Sequence, residues 1–311
     1  MQTTIAGKKT AKAVKTKKAV AIESAPQSPS AFNILGREIL RDKLALVSLL
    51  LLVGITLTVT IIPLFIDEAQ LIRVDLFNLN QAPSVNHWLG TNHNGQDVLG
   101  MLIIGARNSL TLTILVTLIT GSFGILFGLI SGYFGEQVDN VMMRIVDFVN
   151  ILPTLVIVIV FLVIVDWSYL NMVFILSTFA WTGIARLIRS RTLQEKELEY
   201  VQASVTLWTP KYKIMFREVF PNILPLVIVN MTLALSNNVG LETGLSFLGF
   251  GFPIDMPSLG GMIQAARNPT VMQQRWWVWL PALVLVFVLM LSINNVGQCL
   301  KRATDARQRR G

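Results

Sequence analysis

The chain has 311 residues, 53% of them hydrophobic and 14% charged, and a net charge of +8. Soluble domains carry about 25% charged residues, so this balance excludes an ordinary soluble protein and predicts an integral membrane protein. A single cysteine, Cys299, excludes an intrachain disulfide.

In chain order, residues 1–30 are lysine-rich, lack a sizeable apolar run and read as a disordered basic tail. No short apolar core follows the charges closely, as it would in a secretory signal. Residues 32–43 carry apolar side chains at 32, 35, 39 and 40, which fits either a short amphipathic helix on the membrane surface or a plain juxtamembrane linker. The first span, Leu44 to Ile66, contains no charge; at 1.5 Å per residue it is roughly 34 Å long, enough to cross a bilayer. Further spans are expected near Ser109–Ser131, Phe148–Val165 (with Pro153 in its first turns), Leu170–Ile188, Asn222–Leu241 and Trp276–Val296. The expectation is therefore an all-α membrane protein of six spans. Its membrane domain covers 31–300, and a basic tail covers 301–311. Longer connections run over 67–108 and 243–275.

With both ends inside, only Arg73, Arg107, Arg267 and Arg275 of the 26 Lys and Arg residues fall outside. That asymmetry predicts cytoplasmic termini and explains the net charge by topology and anionic lipid headgroups, without a nucleic acid. Trp276, Trp277 and Trp279 mark the outer interface of the sixth span. Arg144 and Asp147 read as a local pair at the inner surface.

Little here is catalytic. The sequence has no P-loop, C-x-x-C, H-E-x-x-H or G-x-S-x-G pattern. His87, His93 and Asp97 fall in one loop; such residues more often hydrogen-bond within a folded loop than ligate a metal. No cofactor or metal is expected. An ion-coupled secondary transporter would show an internal repeat and paired broken helices, and the sequence suggests neither.

The segment 190–221 stands out as polar between apolar runs. Apolar residues at 201, 205, 208, 212, 215 and 219 share one helical face. Thr209-Pro210 reads as an N-cap followed by proline at the first helical position, and Phe220-Pro221 as a stop before the fifth span. The outcome is helix, tight turn and second helix, with Gln202, Lys211, Lys213 and Arg217 facing water or a partner. It is either an amphipathic loop resting on the membrane or a docking element for a cytoplasmic protein.

This segment resembles the cytoplasmic EAA loop of bacterial ABC-importer permeases, the binding-protein-dependent transport inner membrane components. Gln202, Ala203 and Ser204 fill its first part, Trp208 its glycine position and "EVFP", ending at Pro221, its last. Glutamate is replaced by Gln202. At the glycine position a positive φ would strain tryptophan. "HWLGTNHNGQDVLGMLIIGARNSL" and "ETGLSFLGFGFPIDMPSLGGMI" are similar to segments of the dipeptide/oligopeptide/nickel branch, with Asn92 and Gln96 in place of an aspartate and an arginine.

The resemblance implies one of two unlike permease subunits in a bacterial inner membrane, paired with two cytoplasmic ATPases and a substrate-binding protein. ATP hydrolysis would then lie in other chains. It implies a peptide substrate, with nickel or another small solute as the alternative. Gln202, Ala203, Ser204, Leu207, Trp208 and Arg217 would couple to the ATPase. Asn230, Asn237, Asn238 and Glu242 would face the translocation path. The asparagines equally serve as interhelical glue. Glu242 either meets a peptide amino terminus or holds the outer loop through backbone amides.

Overall fold

The computed structural model describes residue 40 and residues 42–165, 167–253 and 255–308. The basic tail expected over 1–30 and nearly all of the amphipathic stretch over 32–43 lie outside the described residues. Among the described residues the regular structure is helical, apart from one isolated bridge between Thr91 and Asp97.

Helix α1 (Lys43–Phe65) is capped by Asp42, whose carboxylate accepts from the Leu44 and Ala45 amides. The Ala45 amide, and after it the Arg302 guanidinium, hold the Asp42 carboxyl below its ordinary range. A single turn, α2 (Glu68–Leu71), follows. Helix α3 (Val98–Phe134) starts well before the expected Ser109, because Asp97 caps it by accepting from Gly100 N.

The next two passes are each broken. Helices α4 (Glu136–Ile151) and α5 (Thr154–Ile164) meet at 77°, and α6 (Tyr169–Ala180) and α7 (Thr182–Lys196) meet at 42°. The first break corrects the continuous third span expected over Phe148–Val165. Leu152, preceding Pro153, is extended at φ −74°, ψ 132°, as steric clash with the proline ring demands. Taking each pair as one pass, with the four long apolar helices, gives the expected six. The broken pairs are consecutive passes, not matching positions in two repeats.

A short helix, α8 (Glu199–Thr206), precedes α9 (Lys211–Ile214). Helix α9 leads through a π-helical turn (Met215–Val219) into α10 (Phe220–Leu248) without a break. The expected stop at Pro221 is therefore not there. A proline lacks the amide N–H and its ring crowds the carbonyl one turn back; the widened π turn just before Pro221 is where such a conflict is accommodated. Helices α11 (Leu259–Gln264) and α12 (Pro269–Gln274) lie across the far end, and α13 (Trp276–Gln308) continues well past the expected Val296.

Helix α3 is the centre of the bundle. Gly124, Gly128 and Gly132, one turn apart, face α7, which runs in the same direction. A methyl built on them would lie 2.8, 2.5 and 2.7 Å from the carbonyl oxygens of Trp181, Ala185 and Arg189. Small residues at this spacing let two backbones touch, which is how membrane helices gain packing energy without a hydrophobic driving force. Helices α10 and α13 run antiparallel. The Ser236 hydroxyl donates to the Met290 carbonyl at 3.2 Å and accepts from Asn294 at 2.8 Å, while Asn295 donates to Ser48 of α1 at 3.2 Å. These two asparagines are thus interhelical ties.

Polar contacts pin α4 to α7. Asp147 pairs with Arg186 at 2.7 Å, not with Arg144 as its spacing suggested; Asp139 pairs with Arg189 and accepts from Ser131; Asn150 accepts from Thr182 at 3.2 Å.

An ion pair between Arg302 and Asp42 at 2.6 Å places the start of α1 and the last turns of α13 at one end of the bundle. The antiparallel α10 and α13 put α8 and α9 at that same end. At the opposite end the connection before α3 is folded back. Arg275 donates to Asn80 at 2.8 Å and the Trp277 indole to the Thr91 carbonyl at 3.3 Å. His87 bonds Asp97 at 2.8 Å, the folded-loop use of that histidine. Asn92 and Gln96 do touch, amide to amide at 2.9 Å, so a neutral pair stands where the resemblance has two opposite charges.

Candidate functional site

Two places gather the residues singled out by sequence. The first is the corner between α8 and α9. The Thr209 amide donates to Ser204 O at 3.1 Å and the Trp208 amide to Val205 O at 3.0 Å. This closes α8 as a Schellman motif with Trp208 at its left-handed position, φ +58°. Tryptophan sits where a glycine would be unstrained; a left-handed residue with a Cβ costs roughly 1–2 kcal/mol. The N-cap expected at Thr209 falls one residue later. Pro210 holds the N-cap position of α9, with no side-chain capping bond.

The expected single apolar face splits here. Val201, Met215 and Val219 are buried against Leu129, Ile188 and Ile223, whereas Val205, Trp208 and Tyr212 remain exposed. Reversal of the chain at the corner breaks a stripe that one straight helix would keep. Trp208 is 93% exposed and Leu207 78%. Lys211, Lys213 and Arg217 are exposed around them.

The named residues do not act alike. Ala203 and Gln202 are exposed, the latter donating to the Lys196 carbonyl at 2.9 Å. Ser204 instead turns inward and donates to Glu218 Oε1 at 2.9 Å. Glu218 Oε2 is buried with no hydrogen-bond partner among the described residues. Tyr200 donates to Glu195 at 2.6 Å and accepts from Asn222 at 2.8 Å; burial, then the bond to Glu195, pushes its phenol pKa up. Tyr200, Glu195 and Asn222 brace the root of α8. Their part was not read from the sequence.

The second place is a cleft of about 520 Å³ between α3, α7 and α10, lined by Thr120, Gly183, Asn230, Asn237 and Asn238 among others. Three of the four path candidates meet there. Asn230 donates to Leu226 O and Asn238 to Thr117 Oγ1, each at 2.8 Å. Glu242 does not join them. It is 0% exposed, accepts from Ser246 at 2.8 Å and lies by Thr243 and Ser109, whose hydroxyl accepts the Leu259 amide at 3.2 Å. So Glu242 braces α10 against α3 and α11 through hydroxyls, not directly through backbone amides. The glycine stripe of α3 was also missed; its G-x-x-x-G-x-x-x-G spacing is the signal that reveals it.

The family model for binding-protein-dependent transport system inner membrane components matches residues 124–310. The chain is 44% identical over 286 residues to the oligopeptide transport system permease protein OppC of Lactococcus lactis subsp. cremoris, covering 90% of this chain and 96% of the relative. It is 35% identical over 278 residues to the oligopeptide transport system permease protein AmiD of Streptococcus pneumoniae, covering 88% and 89%. To the dipeptide transport system permease protein DppC of Bacillus subtilis it is 33% identical over 275 residues, covering 88% and 85%.

Proposed function

We infer the function from one premise: this chain belongs to the family of binding-protein-dependent transport system inner membrane components. It is a multi-pass permease subunit of an ABC transport system, and its cargo is di- and oligopeptides. Its relatives of both the oligopeptide and dipeptide type support that cargo over nickel.

The observation that carries the mechanism is the exposed corner at Trp208, joined without interruption to the helix that lines the cleft. The corner docks in a groove on one of two separate ATPase subunits, where ATP is hydrolysed. From Lys211 to Asn237 the helix spans roughly 40 Å at 1.5 Å per residue. A displacement of the corner by the ATPase cycle is carried along this rod to Asn230, Asn237 and Asn238. A second, unlike permease subunit supplies the other half of the path, and a binding protein delivers peptide at the far end. Coupling requires that the corner bind the two ATPase states with different free energies.

The corner end is assigned to the cytoplasm, because the basic residues gather there. Single cysteines at Gln81 and Lys196, in a background with Cys299 replaced, are expected to label oppositely with an impermeant thiol reagent in whole cells. Labelling of position 196 from outside overturns the orientation.

The complete complex in vesicles tests the function. ATP-driven, binding-protein-dependent uptake of labelled peptides is expected, with no saturable uptake of nickel, and the permease chain purified alone is expected to show no ATP turnover. Turnover by the lone chain would sink the permease reading; nickel uptake without peptide uptake would sink the cargo.

A further inference from the structure

We propose that the cleft between α3, α7 and α10 reads the backbone of a passing peptide and is indifferent to the charge of its side chains, with Asn237 the residue that keeps it so. This rests on the reading of the cleft as the path.

Among the described residues, none that lines the cleft is an aspartate, glutamate, lysine, arginine or histidine. The polar atoms that remain available there are amides. Asn230 and Asn238 each give one side-chain N–H to Leu226 O and Thr117 Oγ1, so each keeps a second N–H and its carbonyl. Thr120 spends its hydroxyl proton on Val116 O. Asn237 is exposed in the cleft and its side chain makes no hydrogen bond among the described residues, so its amide presents donors and an acceptor together. Together these atoms complement peptide N–H and C=O groups, which every peptide carries whatever its sequence.

Charge is what the cleft withholds. In a site walled by apolar helices a fixed carboxylate or ammonium acts far more strongly than in water. It would hold peptides of one sign and turn away those of the other. A neutral amide lining avoids both, so selection by charge is left to other parts of the complex.

The test uses the whole complex in vesicles, with Cys299 replaced. An Asn237→Cys variant is treated with cationic and anionic methanethiosulfonate reagents, each rate normalised to that with a free thiol. A neutral cleft gives rates within about threefold of each other, whereas a charged path gives a preference above about tenfold. Uptake is then compared for two peptides that differ only as lysine against glutamate. Asn237→Asp is expected to move the lysine-to-glutamate ratio up by about tenfold from wild type, Asn237→Lys to move it down, and Asn237→Gln to leave it in place. The ratio cancels the binding protein's own preference. A strong reagent preference at position 237, or an unchanged ratio in both charged variants, overturns the inference while the path stands. Failure of both reagents to reach position 237 overturns the path reading as well.

Discussion

Trp208→Ala is expected to weaken retention of the ATPase subunit by roughly thirtyfold, about 2 kcal/mol, and to uncouple hydrolysis from uptake. The side chain is 93% exposed at a positive φ, on an end of the molecule otherwise dressed with lysine and arginine. A tryptophan held in a strained left-handed position and 93% exposed gains almost no packing from the described residues. Buried in a partner's groove, a large aromatic is the usual centre of binding energy. A companion variant separates the side chain from the backbone. Trp208→Gly removes the ring and also relieves the left-handed strain, so it is expected to bind as weakly as alanine while keeping the corner at least as well ordered. Arg217→Glu, at an exposed position where a charge pair contributes roughly 0–1 kcal/mol, is expected to have a smaller effect. Copurification of the ATPase and paired uptake and hydrolysis rates in the same vesicles give the readout. Wild-type values for Trp208→Ala would leave the corner a surface loop.

The second large effect is expected at Gly128. Leucine there places its Cβ 2.5 Å from the Ala185 carbonyl and 2.8 Å from Ile188 Cβ, in a contact between backbones. Neither neighbour is the flexible tip of a side chain, so α3 and α7 must separate. Overpacking a tight contact costs roughly 1–3 kcal/mol, and more where the backbone must move. Gly128→Leu is expected to prevent accumulation of an intact complex, and Gly128→Ala to lower its thermal midpoint. Gly54 is the control. No described residue lies within 4 Å of a methyl built there, and Gly54→Leu is expected to assemble as wild type. Equal accumulation of the Gly128 and Gly54 leucine variants would show that the close approach of α3 and α7 is not needed.

Much of the fold was legible in the sequence because a bilayer constrains composition directly. A helix that crosses hydrocarbon must be apolar for about 20 residues whatever packs against it, so the passes near Leu44, Ser109 and Trp276 stood out without tertiary information, and the less apolar one from Asn222 less clearly. The corner stood out for a similar reason. A polar segment between spans with a recurring apolar face is a local signal, and the motif at Gln202 to Pro221 gave it a family. The exchange of charged for neutral residues at Asn92 and Gln96 was visible as well, and the structure shows the two amides in contact.

What the sequence by itself determined is thus the membrane class, the approximate passes, the polar corner and the asparagines of α10. Only the tertiary structure decided how these join. Local rules read Pro221 as a stop, but a π turn carries the helix through it, and so the corner and the cleft share one rod. Local spacing paired Asp147 with Arg144, but α7 brings Arg186 within 2.7 Å. The apolar stripe of the corner was one face on paper and two surfaces in space, because the chain reverses at Trp208. Glu242 was grouped with the asparagines as facing the path, yet its burial among hydroxyls from α3 and α10 keeps it out of the cleft. Composition and periodicity report what each residue meets within a turn or two of its own helix. Which helix lies opposite is set by the close approach of α3 and α7 along glycines, and by ties such as Asn294 to Ser236, between residues far apart in the chain.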